Sequence, residues 1–370
     1  MSEKKSPAPR LVFMDLLRAY AVLMMVQGHT IEVFLKEHYR TLDNPFYNVW
    51  NFNRGLTAPL FLFSTGLVFN FLYTKYQVPF HKNPRMVKGI RRAFFLLLVS
   101  LAFRYPGLKF SKYAEMNFDA WKNFLAIDVL QLIAGALLII LILNVLAELL
   151  KRNVTMVFIV TALLVLFSSR FFFDVNWLNT FPLVIATLLN HSTGSPFPFF
   201  PWLFYVLLGA ALGPILHNFR SPERLDKLIR YCLITAATII GALGLAEAIL
   251  FYGFGISFLW VTPGLDIFRM GFVAIAVALW IFIAQHWKNV PKIVLWAGRN
   301  SLWIYLLHVI ILYGSAYNDG LNNQYRGQFE PHMAILFAVL MIIAMGLFVY
   351  IKEMLTELKN RVLPKIKSLF

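Results

Sequence analysis

Long apolar runs repeat along the whole chain, and each has about the length that crosses a lipid bilayer as a helix. Only 14% of the residues are charged and 59% are hydrophobic, whereas soluble domains carry roughly 25% and 45–50%. The pattern predicts an all-α, polytopic integral membrane protein with about ten transmembrane helices. These predicted spans lie at roughly 11–33, 56–74, 89–105, 121–146, 154–173, 200–216, 229–251, 266–285, 293–314 and 333–351.

Basic residues are distributed unevenly between the two sides of this predicted bundle. With the N-terminus inside, 22 of the 34 Lys and Arg fall in inside segments and eight in outside loops, while the other four lie within or at the edges of spans. Cytoplasmic loops carry the excess of Lys and Arg in helical membrane proteins. We therefore expect both termini in the cytoplasm, a single domain over 1–370, and short tails at about 1–10 and 352–370.

The net charge of +16 would suggest a nucleic-acid partner in a soluble protein. In a helical bundle the simpler interpretation is that the basic loops face anionic lipid, with part of the charge available to an anionic cofactor. We therefore expect membrane lipid as a partner and no nucleic acid. If the host is a bacterium, a helical bundle of this topology belongs in its inner, cytoplasmic membrane.

The first predicted span carries ionisable residues, which are costly inside a membrane and usually functional. Asp15 and Arg18 lie three residues apart, so they share one helix face and can pair. His29 follows Arg18 after about three turns, roughly 16–17 Å, on nearly the same face. The stripe predicts a passage with His29 towards its outer end. Alternatively, Asp15 and Arg18 anchor the helix end, and His29 is an interfacial histidine without chemistry.

Two later spans carry further polar residues. In the fourth span, Asp128 and Gln131 face one side and need a partner from another helix, or they form a structural hydrogen-bonded pair. The ninth span begins with Arg299 and Asn300 on the inner side and places His308 in its outer half. A histidine there can exchange a proton near neutral pH, or it can simply be a satisfied packing residue.

Two other segments suggest binding surfaces. The sequence KNPRMVKGIRR at 82–92 places five cations near the start of a predicted span, where a helix N-terminus can hold phosphates. The alternative is ordinary positive-inside charge. Pro59 and Gly66 interrupt the second span, which is typical of a helix that is broken or closely packed at a pocket. No metal site is predicted, since no HxxxH or CxxC spacing occurs.

Four segments, taken in chain order, resemble transmembrane acyltransferases and especially the heparan-α-glucosaminide N-acetyltransferase-like group. The resemblance covers about residues 10 to 315. One departure is Ala19, where the family pattern usually has glycine after the arginine. The segments that carry the resemblance are MDLLRAYAVLMMVQGH at 14–29, RGLTAPLFLFSTG at 54–66, FFPWLFYVLLGAALG at 199–213 and GRNSLWIYLLHVIIL at 298–312.

The resemblance implies a transferase that moves an acyl group, above all acetyl, from cytosolic acyl-CoA to a hydroxyl or amine of an extracytoplasmic glycan or lipid-linked sugar. It also implies His29 as general base or acyl carrier. The residues then expected to be catalytic are His29, Asp15, Arg18, Asp128 and His308. The residues then expected to bind acyl-CoA are Lys88, Arg91, Arg92, Arg299 and Asn300.

Two other functions remain open from the sequence. A transporter or channel would use the same intramembrane charges as a pathway for an ion or substrate. A non-catalytic membrane subunit would use the helices to bind a partner protein. Binding of acyl-CoA separates the enzyme from both. The expected partners of the enzyme are acyl-CoA, a carbohydrate or glycolipid acceptor and membrane lipid, with a homodimer left open and no metal.

Overall fold

A computed structural model describes residues 11–41, 43–104, 114–173, 175–219, 221–259, 263–315 and 318–367, with side chains as far as 360. Within these ranges the chain forms a bundle of helices. The predicted tail at 1–10, the last residues 368–370 and residue 105 of the third predicted span lie outside the described residues. The helices are α1 (Val12–Phe34), α2 (Pro45–Gly55), α3 (Thr57–Thr74), α4 (Pro84–Arg104), α5 (Phe118–Leu125), α6 (Val129–Leu149), α7 (Val154–Phe173), α8 (Leu183–Leu189), α9 (Phe199–Ile215), α10 (Pro222–Phe254), α11 (Gly264–His286), α12 (Lys292–Arg299), α13 (Ser301–Tyr313), α14 (Leu321–Tyr325) and α15 (Pro331–Lys367).

Short elements complete the described structure. Strands β1 (Gly314–Ser315) and β2 (Asn318–Asp319) form an antiparallel pair after α13. Helix α15 continues to Lys367, so the predicted C-terminal tail from 352 is helical as far as it is described. Single 3₁₀ turns lie at Glu37–Tyr39, Phe80–Lys82, Trp177–Asn179, His191–Thr193 and Leu216–Asn218.

Many of these helices are suited to a bilayer. Within the described ranges, seven helical stretches are long and apolar enough to cross a membrane, or eight if one bent pair counts as a single span. The chain is therefore an integral membrane protein. Helices α1 and α4 occupy the first and third predicted spans but are not among the seven, because charged side chains interrupt their apolar sequence. The predicted total of ten spans is reached only if the bent pair, α1 and α4 also cross the membrane.

Helix α1 lies in the middle of the packed helices. It contacts α3, α11, α12, α13 and α15, and Leu16, Leu17 and Val26 on it are fully buried. A helix surrounded in this way has its polar side chains enclosed by protein rather than by lipid. The stripe from Asp15 to His29 is therefore inside the bundle.

Helices α3 and α9 approach each other more closely than side chains would allow. A Cβ atom on Gly66 would lie 1.9 Å from the backbone oxygen of Val206, and one on Gly209 would lie 1.9 Å from that of Phe63. Only glycine fits such backbone contact, which is a common way to pack helices in membranes. The close packing expected at Gly66 is confirmed.

The predicted fourth span is broken at Asp128 rather than continuous over 121–146. Asp128 is the N-cap of α6: its carboxylate accepts from the backbone nitrogens of Leu130 and Gln131, at 2.8 and 2.9 Å. The Gln131 side chain in turn accepts from the backbone nitrogen of Asp128 at 2.9 Å. This capping box satisfies donors that would otherwise be left unpaired at the helix start. The expectation that Asp128 lies inside one continuous helix was therefore wrong.

The predicted ninth span, 293–314, bends by 77° between α12 and α13. Asn300 lies at the bend and ties it to α15, because its side chain donates to Glu353 at 2.7 Å and accepts from Lys352 at 2.6 Å. Next to it, a Cβ atom on Gly298 would lie 2.1 Å from the backbone oxygen of Asp15. The bend is therefore fixed against both α15 and α1.

A hydrogen-bonded clamp joins the chain just after the C-terminal end of α1 to the residue before α15. Lys36 donates to Glu330 at 2.6 Å, and the Tyr39 hydroxyl donates to the same carboxylate at 2.5 Å. These two hydrogen bonds, the one from Lys36 first, lower the pKa of Glu330 below its usual value. The clamp holds the end of α1 that carries His29.

Candidate active site

Two histidines from distant parts of the chain meet in the C-terminal part of α1. The Nδ1 atom of His29 lies 3.2 Å from Nε2 of His308 on α13. Their rings are 5.3 Å apart and inclined by 29°. The Nδ1 atom of His308 lies 2.8 Å from the backbone oxygen of Ile304. His308 is fully buried, whereas His29 is only partly buried.

This chain of hydrogen bonds fixes which nitrogen of His29 carries its proton. A backbone carbonyl only accepts, so Nδ1 of neutral His308 holds the proton and Nε2 is the acceptor. His29 must then donate from Nδ1, which leaves the lone pair on its Nε2 atom. His29 is thus held in the tautomer that can take a proton from, or attack, a bound molecule.

His29 lines a cavity of about 220 Å³ in the C-terminal part of α1. The predicted topology puts this part on the outer side, so we call it the outer cavity. Seven of its described lining residues are apolar or glycine, and α1, α2, α3, α6, α9, α11 and α13 all contribute to its wall. Such a pocket, mostly apolar with a few convergent polar groups, is typical of a ligand site. Its other lining residues all carry a hydrogen-bonding group: His29, Arg54, Thr57, Trp202, Arg269 and Tyr305.

Of the two arginines in the outer cavity, Arg54 is held by neighbouring groups. Arg54 lies 3.3 Å from the carboxylate of Glu32 and 5.7 Å from the centre of the Trp50 ring. Its side-chain stem covers Gly28, the residue before His29: a Cβ atom there would lie 3.2 Å from Cγ of Arg54. Arg54 is therefore fixed beside the histidine.

A second cavity, of about 180 Å³, lies nearer the N-terminal end of α1 and is called the inner cavity, after the same predicted topology. Three of its cations, Arg85, Lys88 and Arg92, lie on the first turns of α4, at a spacing that puts them on one face. Arg18 of α1 is the fourth. None of its described lining residues is acidic. Guanidinium and ammonium groups at a helix start suit phosphates, so the charge of the inner cavity favours an anionic ligand.

The two cavities are stacked along the same three helices. Helix α1 supplies Arg18 to the inner cavity and Met24 to the outer one, and α3 and α6 also line both. The six residues from Arg18 to Met24 correspond to about 9 Å along the helix axis. A long, flexible molecule with an anionic end could therefore occupy both cavities.

The five residues predicted to bind acyl-CoA fall into three groups. Lys88 and Arg92 line the inner cavity, but Arg91 is not among its lining residues. Arg299 lies 3.7 Å from the buried Asp15, and Asn300 binds α15, so both belong to the bend between α12 and α13.

Arg18 connects the inner cavity with that bend. It donates to the hydroxyl of Ser301 at 2.7 Å, where α13 begins. Asp128 lies elsewhere: its carboxylate accepts from Ser100 at 2.7 Å and lies 3.5 Å from Arg104. The partner from another helix that Asp128 requires is thus present on α4. Val129, the next residue, lines the outer cavity.

The sequence predictions omitted most of the outer cavity. Arg54, Thr57 and Trp202 lie within segments that carried the family resemblance, yet none was singled out. Arg269 lies within a predicted span, three residues after Asp266. An ionisable residue inside a membrane is itself a sign of function. Nowhere in the described ranges do three or more His, Cys, Asp or Glu side chains group as metal ligands would.

The fold and site define a helical membrane protein with a histidine pair at one cavity and a second, cationic cavity along the same helices. The sequence profile of the family described as heparan-alpha-glucosaminide N-acetyltransferase, catalytic, matches residues 10–252, which is more than half of the chain. The chain belongs to this family and is by class a membrane acetyltransferase. The match includes His29 and the inner cavity, whereas His308 lies beyond it. A search of curated proteins gives no significant match.

Proposed function

We propose that the protein transfers an acyl group, above all acetyl, from cytosolic acyl-CoA to a hydroxyl or amine of an extracytoplasmic glycan or lipid-linked sugar. The observation that carries the proposal is the outer cavity, where the hydrogen bond to His308 leaves a lone pair on Nε2 of His29. A carbohydrate acceptor is the kind of molecule that the name of the family indicates.

The inner cavity holds the phosphates of acyl-CoA. Lys88 and Arg92 approach from α4 and Arg18 from α1, so three cations can neutralise the phosphates on different sides. With both termini in the cytoplasm, this cavity faces the compartment that supplies acyl-CoA. The pantetheine arm then follows α1 for about 9 Å to the outer cavity.

The acyl-CoA supplies an activated thioester to the outer cavity. Nε2 of His29 takes the proton of the acceptor hydroxyl or amine while the acceptor oxygen or nitrogen bonds to the acyl carbon. The bond from that carbon to sulfur then breaks, and His29 returns the proton to the sulfur. The products are the acylated acceptor and CoA, so atoms and charges balance.

His308 holds the tautomer of His29 and has no contact with the acceptor in this mechanism. Asp15 and Arg18 support the passage, through the contacts of Asp15 with Arg299 and of Arg18 with Ser301. Asp128 caps α6 beside the outer cavity and acts by positioning its wall.

His29 can alternatively carry the acyl group on Nε2 before the acceptor arrives. The two pathways differ in what labelled acetyl-CoA does to the protein without acceptor. Rapid acid quench of the purified protein, followed by mass spectrometry of the peptide around His29, shows an added acetyl group if His29 is a carrier. Direct transfer leaves that peptide unmodified, because His29 exchanges only a proton.

The test of the function is binding and turnover of acetyl-CoA by the purified wild type beside His29→Ala. Calorimetry and thermal shift measure binding, and release of CoA in the presence of glucosamine measures turnover. We expect micromolar binding to both proteins and a loss of turnover of about 10³-fold in His29→Ala, since general acid–base catalysis contributes roughly 10²–10⁴. A folded wild type that binds no acyl-CoA would contradict the proposal and favour a transporter.

A further inference from the structure

Two hydrogen-bonding groups in the outer cavity are buried without a partner. The hydroxyl oxygen Oγ1 of Thr57 and the indole nitrogen Nε1 of Trp202 have no hydrogen bond to any of the residues that the structure describes. Both residues line the outer cavity together with His29, and Thr57 is only 7% exposed. One donor comes from the start of α3 and the other from the start of α9.

An unpaired buried donor is uncommon and destabilising, at roughly 1–3 kcal/mol for each group. Other hydroxyls on α1 and α3 avoid this penalty by bonding to their own helix. Thr30 donates to the backbone oxygen of Val26 at 2.7 Å, and Thr65 donates to that of Phe61 at 2.8 Å. Thr57 makes no such bond, so its hydroxyl is available to a molecule in the cavity.

The packing of α3 and α9 brings the two donors to the same level of the bundle. The contacts of Gly209 with Phe63 and of Gly213 with Phe71 show that the helices run side by side in one direction. Thr57 precedes Phe63 by six residues and Trp202 precedes Gly209 by seven, which correspond to about 9 and 10 Å along the axes. Both donors therefore lie towards the outer ends of the helices.

Aromatic neighbours hold the indole of Trp202 in place. The Phe197 ring packs edge-on against it with ring centres 4.8 Å apart, and the centre of the Tyr205 ring lies 6.0 Å from that of the indole. Phe197 also lines the outer cavity. A donor fixed in this way needs no reorganisation when a ligand binds.

We propose that the Thr57 hydroxyl and the Trp202 indole N–H donate hydrogen bonds to the carbonyl oxygen of the acyl group. When the acceptor bonds to the acyl carbon, an electron pair moves onto this oxygen, and the two donors stabilise its negative charge. When the carbon–sulfur bond breaks, the pair returns to the carbonyl and the sulfur leaves with the bonding electrons. The inference rests on the proposed acyl transfer and assigns both residues as catalytic.

The test compares two unreactive ligands, only one of which carries a carbonyl. One is the methyl-ketone analogue of acetyl-CoA, in which a methylene replaces sulfur, and the other is S-ethyl-CoA. Calorimetry with the full chain measures both affinities. We expect wild type to prefer the ketone by about tenfold. In Trp202→Phe and in Thr57→Val this preference should fall to about threefold, and in the double variant it should be lost.

Turnover provides the second readout. Release of CoA from acetyl-CoA should fall about 100-fold in each single variant, as for the loss of one oxyanion donor, while the affinity for S-ethyl-CoA stays unchanged. That unchanged affinity also shows that the variant is folded. The matched controls are Trp303→Phe, at a lipid-exposed position of α13, and Thr161→Val on α7, whose hydroxyl bonds to its own helix. Both should keep wild-type values.

The outcomes separate the inference from the function. If wild type binds both analogues and turns over acetyl-CoA, but both variants keep the tenfold preference and the rate, the donor assignment is wrong and the acyltransferase stands. If wild type binds neither analogue, the proposed function and the donor assignment fail together. Should one variant not fold, the other still carries the comparison, because the donors lie on different helices.

Discussion

The inner and outer cavities share three helices but differ in what their polar side chains provide. The inner cavity gathers four cations, which suit the fixed charge of phosphates. The outer cavity contains a histidine with its proton fixed on one nitrogen, and two neutral donors without partners. The cations of the inner cavity provide binding affinity through charge, whereas the groups of the outer cavity act while bonds form and break.

This difference explains why α3 matters to both cavities. It places Thr57 in the outer cavity and Thr65 in the inner one, and Gly66 fixes it against α9. Thr57, a proposed donor in the outer cavity, and Thr65, in the wall of the inner cavity, are thus parts of the same helix. The comparison can be tested by changing the shared helix, then the outer cavity alone, then the inner cavity alone.

Gly66→Ala should have the largest effect, because it disrupts both cavities. The new Cβ atom would lie 1.9 Å from the backbone oxygen of Val206, and backbone cannot move aside as a flexible side chain can. We expect destabilisation of about 3 kcal/mol or more, at the upper end of overpacking effects. Thermal unfolding in detergent measures it, as a fall in midpoint together with loss of acyl-CoA binding.

The matched control for Gly66 is Gly241→Ala on α10, where no atom lies within 4 Å of the new Cβ. Its unfolding midpoint should be unchanged or slightly raised, since alanine is the better helix former. Equal midpoints for the two variants would show that the close contact between α3 and α9 does not hold the cavities.

His308→Leu should affect the outer cavity alone. Without the acceptor at His308, nothing holds the proton of His29 on Nδ1, and the lone pair on Nε2 is lost in part of the molecules. We expect kcat to fall about 100-fold while KM for acetyl-CoA changes little. His308→Gln retains an acceptor oxygen and should recover most of the rate. Equal rates for the Leu and Gln variants would contradict this positioning role.

Local spacing was enough to predict part of this arrangement. The placement of Asp15, Arg18 and His29 on one stripe followed from helical periodicity within α1. The capping box at Asp128 was also encoded locally, as an aspartate followed three residues later by Gln131. The long apolar run over 121–146 nevertheless favoured a continuous helix, and hydropathy does not detect a break that a side chain caps.

Contacts between distant segments could not be predicted in this way. His29 and His308 are 279 positions apart, and only the packing of α1 against α13 brings them together. The same is true of Thr57 and Trp202, because a hydroxyl or indole is recognised as unpartnered only when every neighbour is known. The groups proposed to act in the outer cavity are therefore recognisable only in the tertiary structure, whereas the cations of the inner cavity are visible in the sequence.

The inner cavity should show the smallest effects and the most specific ones. Lys88→Ala and Arg92→Ala each remove one cation from its lining, so the KM for acetyl-CoA should rise about tenfold, the range for a hydrogen bond to a charged group. The kcat should stay within about twofold, because neither residue lies in the outer cavity. Steady-state kinetics at two salt concentrations measure this, and added salt should reduce the difference between wild type and variant.

Arg91→Ala is the control that makes this prediction specific. Arg91 lies on the same helix turn and carries the same charge as Arg92, but it is not among the residues that line the inner cavity. If the cavity binds the phosphates, Arg91→Ala should leave KM near the wild-type value, and the separation of Arg91 from Arg92 would then reflect geometry rather than charge. If all three variants raise KM equally, the basic surface attracts acyl-CoA only through its net charge, and the inner cavity is not its binding site.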